Sequence, residues 1–326
     1  MKVLFCSVGR RGELVKDFRL SMEAGGKIVA TDNSPVAPAL YLADKQYLVP
    51  KIDDPGYIDS ILEICKSEDI DAITTFIDPE IELLSSNRAL FEELGVQVLA
   101  PYEKTAHLCF DKYQMYEHLV ENGIPTVLTY GTLSDFEEAF AAGKISLPVF
   151  VKPRNGSGSV GARRIASMVE LRVAMEEDPS LIIQELITGE DVDADVYVDT
   201  VSHELVSAFT KRKLSTTIGG ANKTVSFKDS KFFEAIKRAV SVLELNGPSD
   251  MDFFVKDGEY LLSEVNPRFG GAYLHAYGAG VDFVKLIENN VRGIANQPVF
   301  GDYDDGVVMM MFDSVVIKKA DELIGR

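Results

Sequence analysis

Glu264-Val265-Asn266-Pro267-Arg268-Phe269-Gly270-Gly271 is the stretch whose residue types and spacing could do chemistry. It follows Asp252-Phe253-Phe254-Val255, a turn at Lys256-Asp257-Gly258-Glu259 and the apolar run Tyr260-Leu261-Leu262, which reads as a two-stranded hairpin. Side chains at i and i+2 of a strand share a face, so Glu264 and Asn266 project together. Asp252, on the partner strand, can meet them across the ladder. Two carboxylates and an amide oxygen make a hard, oxygen-only set of the kind that holds Mg²⁺ against phosphate groups. Arg268 adds a fixed cation suited to bidentate recognition of phosphate or carboxylate. The plain alternative is a hairpin with solvated acids.

A second stretch points the same way. Arg154-Asn155-Gly156-Ser157-Gly158-Ser159-Val160-Gly161 follows the strand pattern Val149–Pro153. Glycine lets the backbone approach a ligand closely, and clustered N–H groups form an anion nest. Gly156, Ser157, Gly158, Ser159 and Gly161 are therefore expected to bind phosphate, with Lys152 placing an ammonium beside them and the loop closing as a lid. The P-loop pattern is not met, because no Gly-Lys-Ser/Thr opens a helix here. Gln184-Glu185-Leu186-Ile187 ends another apolar strand and offers backbone groups to an adenine edge. In Gly189-Glu190-Asp191 a carboxylate could accept from ribose hydroxyls. Lys211-Arg212-Lys213, beside Thr216-Thr217-Ile218-Gly219-Gly220-Ala221, is a basic cluster in an otherwise acidic chain. Lys211 and Arg212 are candidates for an anionic substrate or a triphosphate.

The elements that must position these residues fall into two blocks. Residues 1–100 alternate strands (Val3–Val8, Lys27–Thr31, Gln46–Val49, Ala72–Phe76, Val96–Leu99) with helices (Glu13–Ala24, Tyr57–Ser67, Ile81–Leu94), implying parallel βαβ units in a small doubly wound domain. Its first turn, Gly9-Arg10-Arg11-Gly12, is not a full dinucleotide fingerprint. Asp32 is read as a cap or turn residue before Pro35, and the Arg pair as facing either solvent or a substrate anion at the strand ends. From about residue 101 the pattern gives a helix over 104–122, strands Leu181–Glu185, Val192–Val198 and Leu205–Lys211, helices Lys231–Leu243 and Ala279–Gly293, and a buried strand Val307–Met311.

The 326 residues carry a formal net charge of −18, which argues against non-specific nucleic-acid binding. No apolar run has transmembrane length. The apolar start runs into Arg10-Arg11 and reads as a first strand rather than a signal peptide. Cys6, Cys65 and Cys109 form neither a metal spacing nor a disulfide framework, so a reducing cytoplasm is the simplest home. Neither Ser–His–Asp nor Cys–His constellations stand out. His107, His118 and His203 read as structural or solvated, and His275 as a packing residue near the Gly270-Gly271 exit.

In order and spacing, Asp111-Lys112, Lys152 with its Gly-Ser loop, Gln184-Glu185, Gly189-Glu190-Asp191, Asp252 and Glu264-x-Asn266-Pro267-Arg268 resemble the ATP-grasp superfamily. Within it the chain looks like a single-module relative of the carbamoyl-phosphate synthase large subunit. The resemblance implies an α/β and α+β fold: a Rossmann-like pre-ATP-grasp domain over 1–100, then an ATP-grasp domain over 101–326 with a small lid subdomain at about 113–188. It implies that Lys112 and Lys152 contact phosphates and the adenine side, that Glu185 and Ile187 frame adenine, and that Asp191 or Glu190 holds the ribose. Asp252, Glu264 and Asn266 would ligate one or two Mg²⁺ ions, with Mn²⁺ as a substitute, and Arg268 would stabilise the transferring phosphoryl group. A complete synthase subunit has two such modules. The expectation is therefore an ATP-dependent carboxylate–amine ligase working through an acyl phosphate, with no nucleic-acid or membrane partner and a homodimer as its assembly. The alternatives are one module of a split synthase and a non-catalytic ATP-binding regulatory protein.

Overall fold

A computed structural model describes residues 1–156, 160–217 and 220–325. Its strands, in chain order, are β1 (Lys2–Cys6), β2 (Lys27–Asp32), β3 (Lys45–Leu48), β4 (Ala72–Thr75), β5 (Gln97–Val98), β6 (Thr129–Tyr130), β7 (Val149–Pro153), β8 (Arg163–Ile165), β9 (Leu181–Glu185), β10 (Glu190–Val198), β11 (Leu205–Thr217), β12 (Gly220–Ser226), β13 (Gly247–Lys256), β14 (Glu259–Asn266), β15 (Val299–Phe300) and β16 (Val308–Met310). They form three sheets.

The first sheet is parallel, in the order β3-β2-β1-β4-β5. Its central strands β1, β2 and β4 are almost wholly buried because helices cover both faces, while β3 is a polar, partly exposed edge. The order reverses between β1 and β4, so the loops after these two strands open a crevice at their carboxyl ends. Asp32 closes the loop after β1 by accepting from Gly9 N at 2.9 Å and Ser34 N at 2.9 Å, and is thus a turn-pinning residue.

The second sheet, β6-β9-β7-β8, is small and antiparallel. The third runs β14-β13-β10-β11-β12-β16, with β15 alongside β11. The β13–β14 turn holds Asp257 at φ 52° and Gly258 at φ 78°, the positive-φ pair that matches the strand twist of a tight hairpin. The helix Ser230–Leu243 buries Phe232, Ile236, Ala239, Val240 and Leu243 on one stripe against this sheet. It ends at Glu244 in the left-handed conformation.

Several boundaries differ from the sequence reading. The helix expected over 81–94 is two, Asp78–Ser86 and Arg88–Glu92, interrupted at Asn87. The helix expected over 104–122 is also two, Glu103–Phe110 and Lys112–Glu121. Asp111 breaks it by capping the second, accepting from Tyr113 N at 3.1 Å and Gln114 N at 3.0 Å. The helix expected over 279–293 is confined to Phe283–Val291, because Gly280 at φ 93° ends the preceding turn. The strand expected as buried over 307–311 is a short edge strand with Val308 and Met310 largely exposed. β6, β8, β12 and the helices Leu133–Ala141 and Met168–Glu177 are elements the sequence reading lacks, although Leu133–Ala141 is amphipathic and buries Phe136 and Ala139.

The first and third sheets share a core. Phe5 and Phe18 from the parallel domain pack with Phe269, Tyr273 and Phe283, Phe18 meeting Phe269 edge-on at 5.5 Å between centroids. This fixes the crevice of the parallel sheet over the β13–β14 hairpin.

Candidate active site

A cleft of about 560 Å³ lies between the three sheets. The hairpin β13–β14 and its neighbour β10 form the floor. Register sets Asp252 opposite Glu264, Asp250 opposite Asn266 and Asp193 opposite Asp252. Alternation then turns Asp250, Asp252 and Phe254 to one face, and Asp191, Asp193 and Asp195 likewise. On the far flank of β10, Lys211 and Lys213 of β11 face the same acids. The result is a ladder of carboxylates with lysines along one side.

Lys213 reaches the cleft. Its Nζ pairs with Asp191 Oδ1 at 2.9 Å and bonds Asp252. Burial by itself would raise the Asp252 carboxyl, but the Lys213 ammonium outweighs this and holds it below the usual carboxylate range. Asp250 has no lysine bonded to it, and burial beside Asp252 and Asp193, only partly opposed by Lys211 and Arg268, pushes it up to about 7. Asn266 Nδ2 donates to Asp252 Oδ2 at 3.4 Å, and Lys152 Nζ stands 3.7 Å from Glu264 Oε2. Burial lowers the Lys152 ammonium, with Glu264 opposing the shift.

Arg268 is held from outside the hairpin. Its Nε donates to Asp78 Oδ1 at 2.8 Å, and Nη1 lies 4.0 Å from Asp250 Oδ2. Asp78 starts a helix of the parallel domain, 190 residues away in sequence, and no sequence pattern ties the two. Gly270 belongs here because a Cβ would lie 2.8 Å from Asp250 Cγ and 2.9 Å from Asp195 Oδ1.

The opposite wall comes from the small sheet. Lys152, Pro153, Asn155 and Gly156 line it. Lys112 Nζ donates to Gly156 O, and Lys112 N to Arg154 O at 3.1 Å. Arg154 Nε in turn holds Asp111, at 2.7 and 2.8 Å from its two oxygens. Gly156 and Gly161 adopt φ of 120° and 76°. Ser157, Gly158 and Ser159 lie outside the described residues, as do Ile218 and Gly219.

Lys112, Lys152, Gly156, Asp191, Asp252, Glu264, Asn266 and Arg268 thus meet in one cleft. Other candidates do not. Lys211 is wholly buried beneath the floor, bonded to Asp195 and 3.1 Å from Asp193. Arg212 alternates to the other face, donates to Glu190 at 2.7 Å and stacks over Phe227. Lys213, not its two predecessors, is the cleft lysine: strand parity turns Arg212 away, and Lys211, on the same face as Lys213, is buried against Asp193 and Asp195. Glu190 leaves with Arg212, so Asp191 is the acid of that pair facing the cleft. Gln184 is buried and donates to Thr129 Oγ1 at 3.0 Å. Glu185 pairs with Lys256 on the outer side, and Glu185, Leu186 and Ile187 stay off the cleft wall. His275 is buried, hydrogen-bonded to Thr224 Oγ1 and edge-on to Phe209. Burial pushes it down to about 4, so it packs as a neutral ring. Arg11, read as facing either solvent or a substrate anion, lines the cleft; Asp78 and Asp250 were missed, Asp250 although it shares the face of Asp252 at i−2, and Asp78 because only tertiary folding brings it here.

The floor suits a cation. Asp252, Glu264 and Asn266 offer hard oxygens, and acids outnumber the lysines around them. Among the described residues no three His, Cys, Asp or Glu side chains converge as a ready-made cage, so remaining ligands would come from a bound phosphate and water.

Comparison with known proteins places this architecture. The ATP-grasp domain family model matches residues 109–272, and the PylC-like N-terminal domain model matches residues 3–99. The chain belongs to the ATP-grasp family, with a PylC-like N-terminal domain. It is 23% identical over 322 residues to the arginine-specific carbamoyl phosphate synthase large chain of Bacillus subtilis, covering 93% of this chain and 30% of that one. It therefore spans less than a third of that relative's length. It is 27% identical over 284 residues to the 3-methyl-D-ornithine–L-lysine ligase of Methanosarcina acetivorans, covering 86% and 72%. In fold it resembles the biotin carboxylase domain of the Hydrogenobacter thermophilus 2-oxoglutarate carboxylase, a dimer solved with MgADP and bicarbonate. The TM-score is 0.75 at 21% identity, covering 94% of this chain and 73% of that one. No helix among the described residues is long and apolar enough to cross a membrane.

Proposed function

We propose that this protein is an ATP- and Mg²⁺-dependent carboxylate–amine ligase that forms ADP and an acyl phosphate. The observation that carries this is the meeting of two lysines, an oxygen-only trio and a clamped arginine in one cleft. Lys112 and Lys152 neutralise the phosphates of ATP, and Asp191 holds the ribose. Asp252, Glu264 and Asn266 would hold Mg²⁺, which would supply charge neutralisation for the phosphates. Mn²⁺ is the natural substitute. A substrate carboxylate oxygen attacks the γ-phosphorus, the bond to the ADP oxygen breaks, and Arg268 steadies the charge on the transferring group. An amine nitrogen then attacks the acyl carbon, phosphate leaves with the C–O electron pair, and the nitrogen sheds its proton. Positioning carries most of the rate; the Asp78 clamp on Arg268 is part of it.

The relatives support this reading: one is named as a ligase of two amino acids and another is solved with MgADP. The dimer described for the latter is the basis for proposing a homodimer here. Cys6, Cys65 and Cys109 are free and buried, which suits a reducing cytoplasm.

The test is Mg²⁺-dependent ADP release with a panel of carboxylates and pooled amines, bicarbonate with ammonia included. Release with amino acids or small acids supports the ligase. Release with bicarbonate alone moves the reading to a module of a split synthase, which the 93% alignment to the synthase chain makes the second reading. Tight ATP binding with no release under any condition leaves a non-catalytic binder.

A further inference from the structure

The cleft has two ends: the nucleotide side and the Asp252–Glu264 rung lie toward one, and at the other Asn266 stands opposite Asp250, whose own carboxylate has no part in the nucleotide or metal assignments. Along β13 the cleft-facing residues run Phe254, Asp252, Asp250. Phe254 lies at the end that carries Phe150 and Asp191. Asp250 lies at the end under the parallel domain. Two residues of strand separate each pair, about 7 Å, so a group beside Asp250 sits one substrate length beyond the Asp252–Glu264 rung.

That far end coincides with the switch point of the parallel sheet. The loop after β1 brings Arg11, and the loop after β4 brings Phe76 and Asp78. The Arg11 guanidinium stands over the Phe76 ring, 6.0 Å from its centroid. Arg11 is half-buried and lines the cleft beside Arg268. Burial, then the like charge of Arg268, pushes it down to about 10. Asp78 is already committed to Arg268. Among the described residues, the Arg11 guanidinium makes no hydrogen bond and no ion pair within 4.0 Å. The Asp250 carboxylate makes no hydrogen bond, and its one ion-pair contact is Arg268 Nη1, at 4.0 Å. Two opposite charges therefore face one end of one cleft without satisfying each other.

A partly desolvated guanidinium without a partner is costly to hold, as is a buried carboxylate. A ligand that brings both complementary charges relieves both. We propose that this end of the cleft binds a zwitterionic α-amino acid, Arg11 taking its carboxylate in a forked contact and Asp250 its ammonium. This rests on the ligase reading and gives it a substrate class: an amino acid held by groups from two domains. Arg10, the other member of the pair, is exposed near Asp313 and takes no part.

The experiment measures ADP release with Mg-ATP and three matched probe sets: α-amino acids, alkylamines lacking the carboxylate, and carboxylic acids lacking the amine. Wild type, Arg11→Ala, Arg11→Lys and Asp250→Asn are compared, and Mg-ADP affinity is measured for each by calorimetry. The expected result is release with amino acids. Arg11→Ala raises the KM for them about tenfold or more, a charged hydrogen bond's worth, and leaves Mg-ADP affinity unchanged. Arg11→Lys restores part of the loss. Alkylamines release no ADP, having no carboxylate to phosphorylate, while carboxylic acids lacking the amine show a raised KM that Asp250→Asn does not deepen. Amino acids inert while bicarbonate or simple acids release ADP would overturn the zwitterion site and leave the ligase standing. Arg11→Ala losing Mg-ADP affinity in step with KM would overturn it by making Arg11 a nucleotide or folding residue. No release with any probe would remove the ligase reading, and this proposal with it.

Discussion

At the scale of single residues the site works by sharing a few charges among many partners. Of the two carboxylates proposed to hold the metal, Glu264 has the fewer commitments: Lys152 is near it at 3.7 Å, whereas Asp252 is bonded to Lys213. It is therefore the freer of the two to turn to a cation. Glu264→Gln keeps the shape and removes the charge. We expect ADP release to fall about 10²-fold or more, as for loss of one electrostatic contact in a dry site, with the Mg²⁺ concentration for half-maximal rate rising. A titration of rate against Mg²⁺ checks this; an unchanged midpoint would remove Glu264 from the ligand set. Lys213 gives a contrasting expectation. It neutralises Asp191 and Asp252, so Lys213→Met should weaken Mg-ADP binding less than Lys152→Met does and mainly lower the melting temperature, by leaving buried carboxylates unpaired.

At the scale of elements the floor depends on strands meeting without side chains between them. Gly189 leads into β10 with its backbone against β13, where a Cβ would fall 1.8 Å from Val255 O. No rotamer can relieve a clash with backbone. Gly189→Ala should destabilise by about 1–3 kcal/mol and displace Asp191; denaturant unfolding and Mg-ADP calorimetry read both. The other end of β10 is tied by Asp199. Its Oδ2 accepts from Asn290 Nδ2 at 2.7 Å, Asn296 N at 2.8 Å and Asn296 Nδ2 at 2.7 Å. Its Oδ1 accepts from Val201 N at 2.9 Å and Ser202 N at 2.8 Å. Burial would raise this carboxyl, but the donors, Asn290 foremost, hold it down at about 2. A folded-state value below the unfolded one stabilises above the unfolded pKa and is lost as pH falls through the folded one. The contribution is about 2–3 kcal/mol at neutral pH, lost between about pH 4 and 2. Wild type should exceed Asp199→Asn in stability at pH 7, and the gap should close toward pH 2. A gap constant across that range would refute the assignment.

For the whole molecule the decisive feature is the core shared between the parallel sheet and the hairpin sheet. Phe18 packs on both Phe5, at 4.7 Å, and Phe269, at 5.5 Å. The interface also carries Glu23 N donating to Glu288 Oε1 at 3.0 Å and an Arg292–Glu23 ion pair. Arg11 and Asp78 are thereby fixed relative to Arg268. Phe18→Ala should cost about 3–5 kcal/mol. The two sheets should still melt in one transition, since each loses the same core; separate transitions by calorimetry would show that the domains fold independently.

The sequence alone determined a good deal, and the reasons are local. Asp257-Gly258 demands positive φ and so dictates the hairpin. Period-two spacing sends Glu264 and Asn266 the same way. Asp111 stops one helix and caps the next, although the capping was not read beforehand and the helix was taken as continuous. Residues 1–100 alternate apolar runs and helical stripes strongly enough to show a parallel sheet. Other features were decided only by tertiary structure. Whether Lys211, Arg212 or Lys213 faces the cleft depends on the register of β11 against β10, which is set 16 to 20 residues away along the chain by pairs such as Lys211 with Asp193. Glu190 and Asp191 separate for the same reason. Gln184 leaves the wall because β9 pairs with β6 and β7, where it is buried against Thr129, and Glu185 because it turns to Lys256. Arg11 had a local signal, its turn after the first strand, with solvent as the other reading; Asp78 joins the site through no pattern of its own. The shared aromatic core brings two domains into contact, and contacts between residues nearly 200 apart follow from packing, which a one-dimensional pattern does not encode.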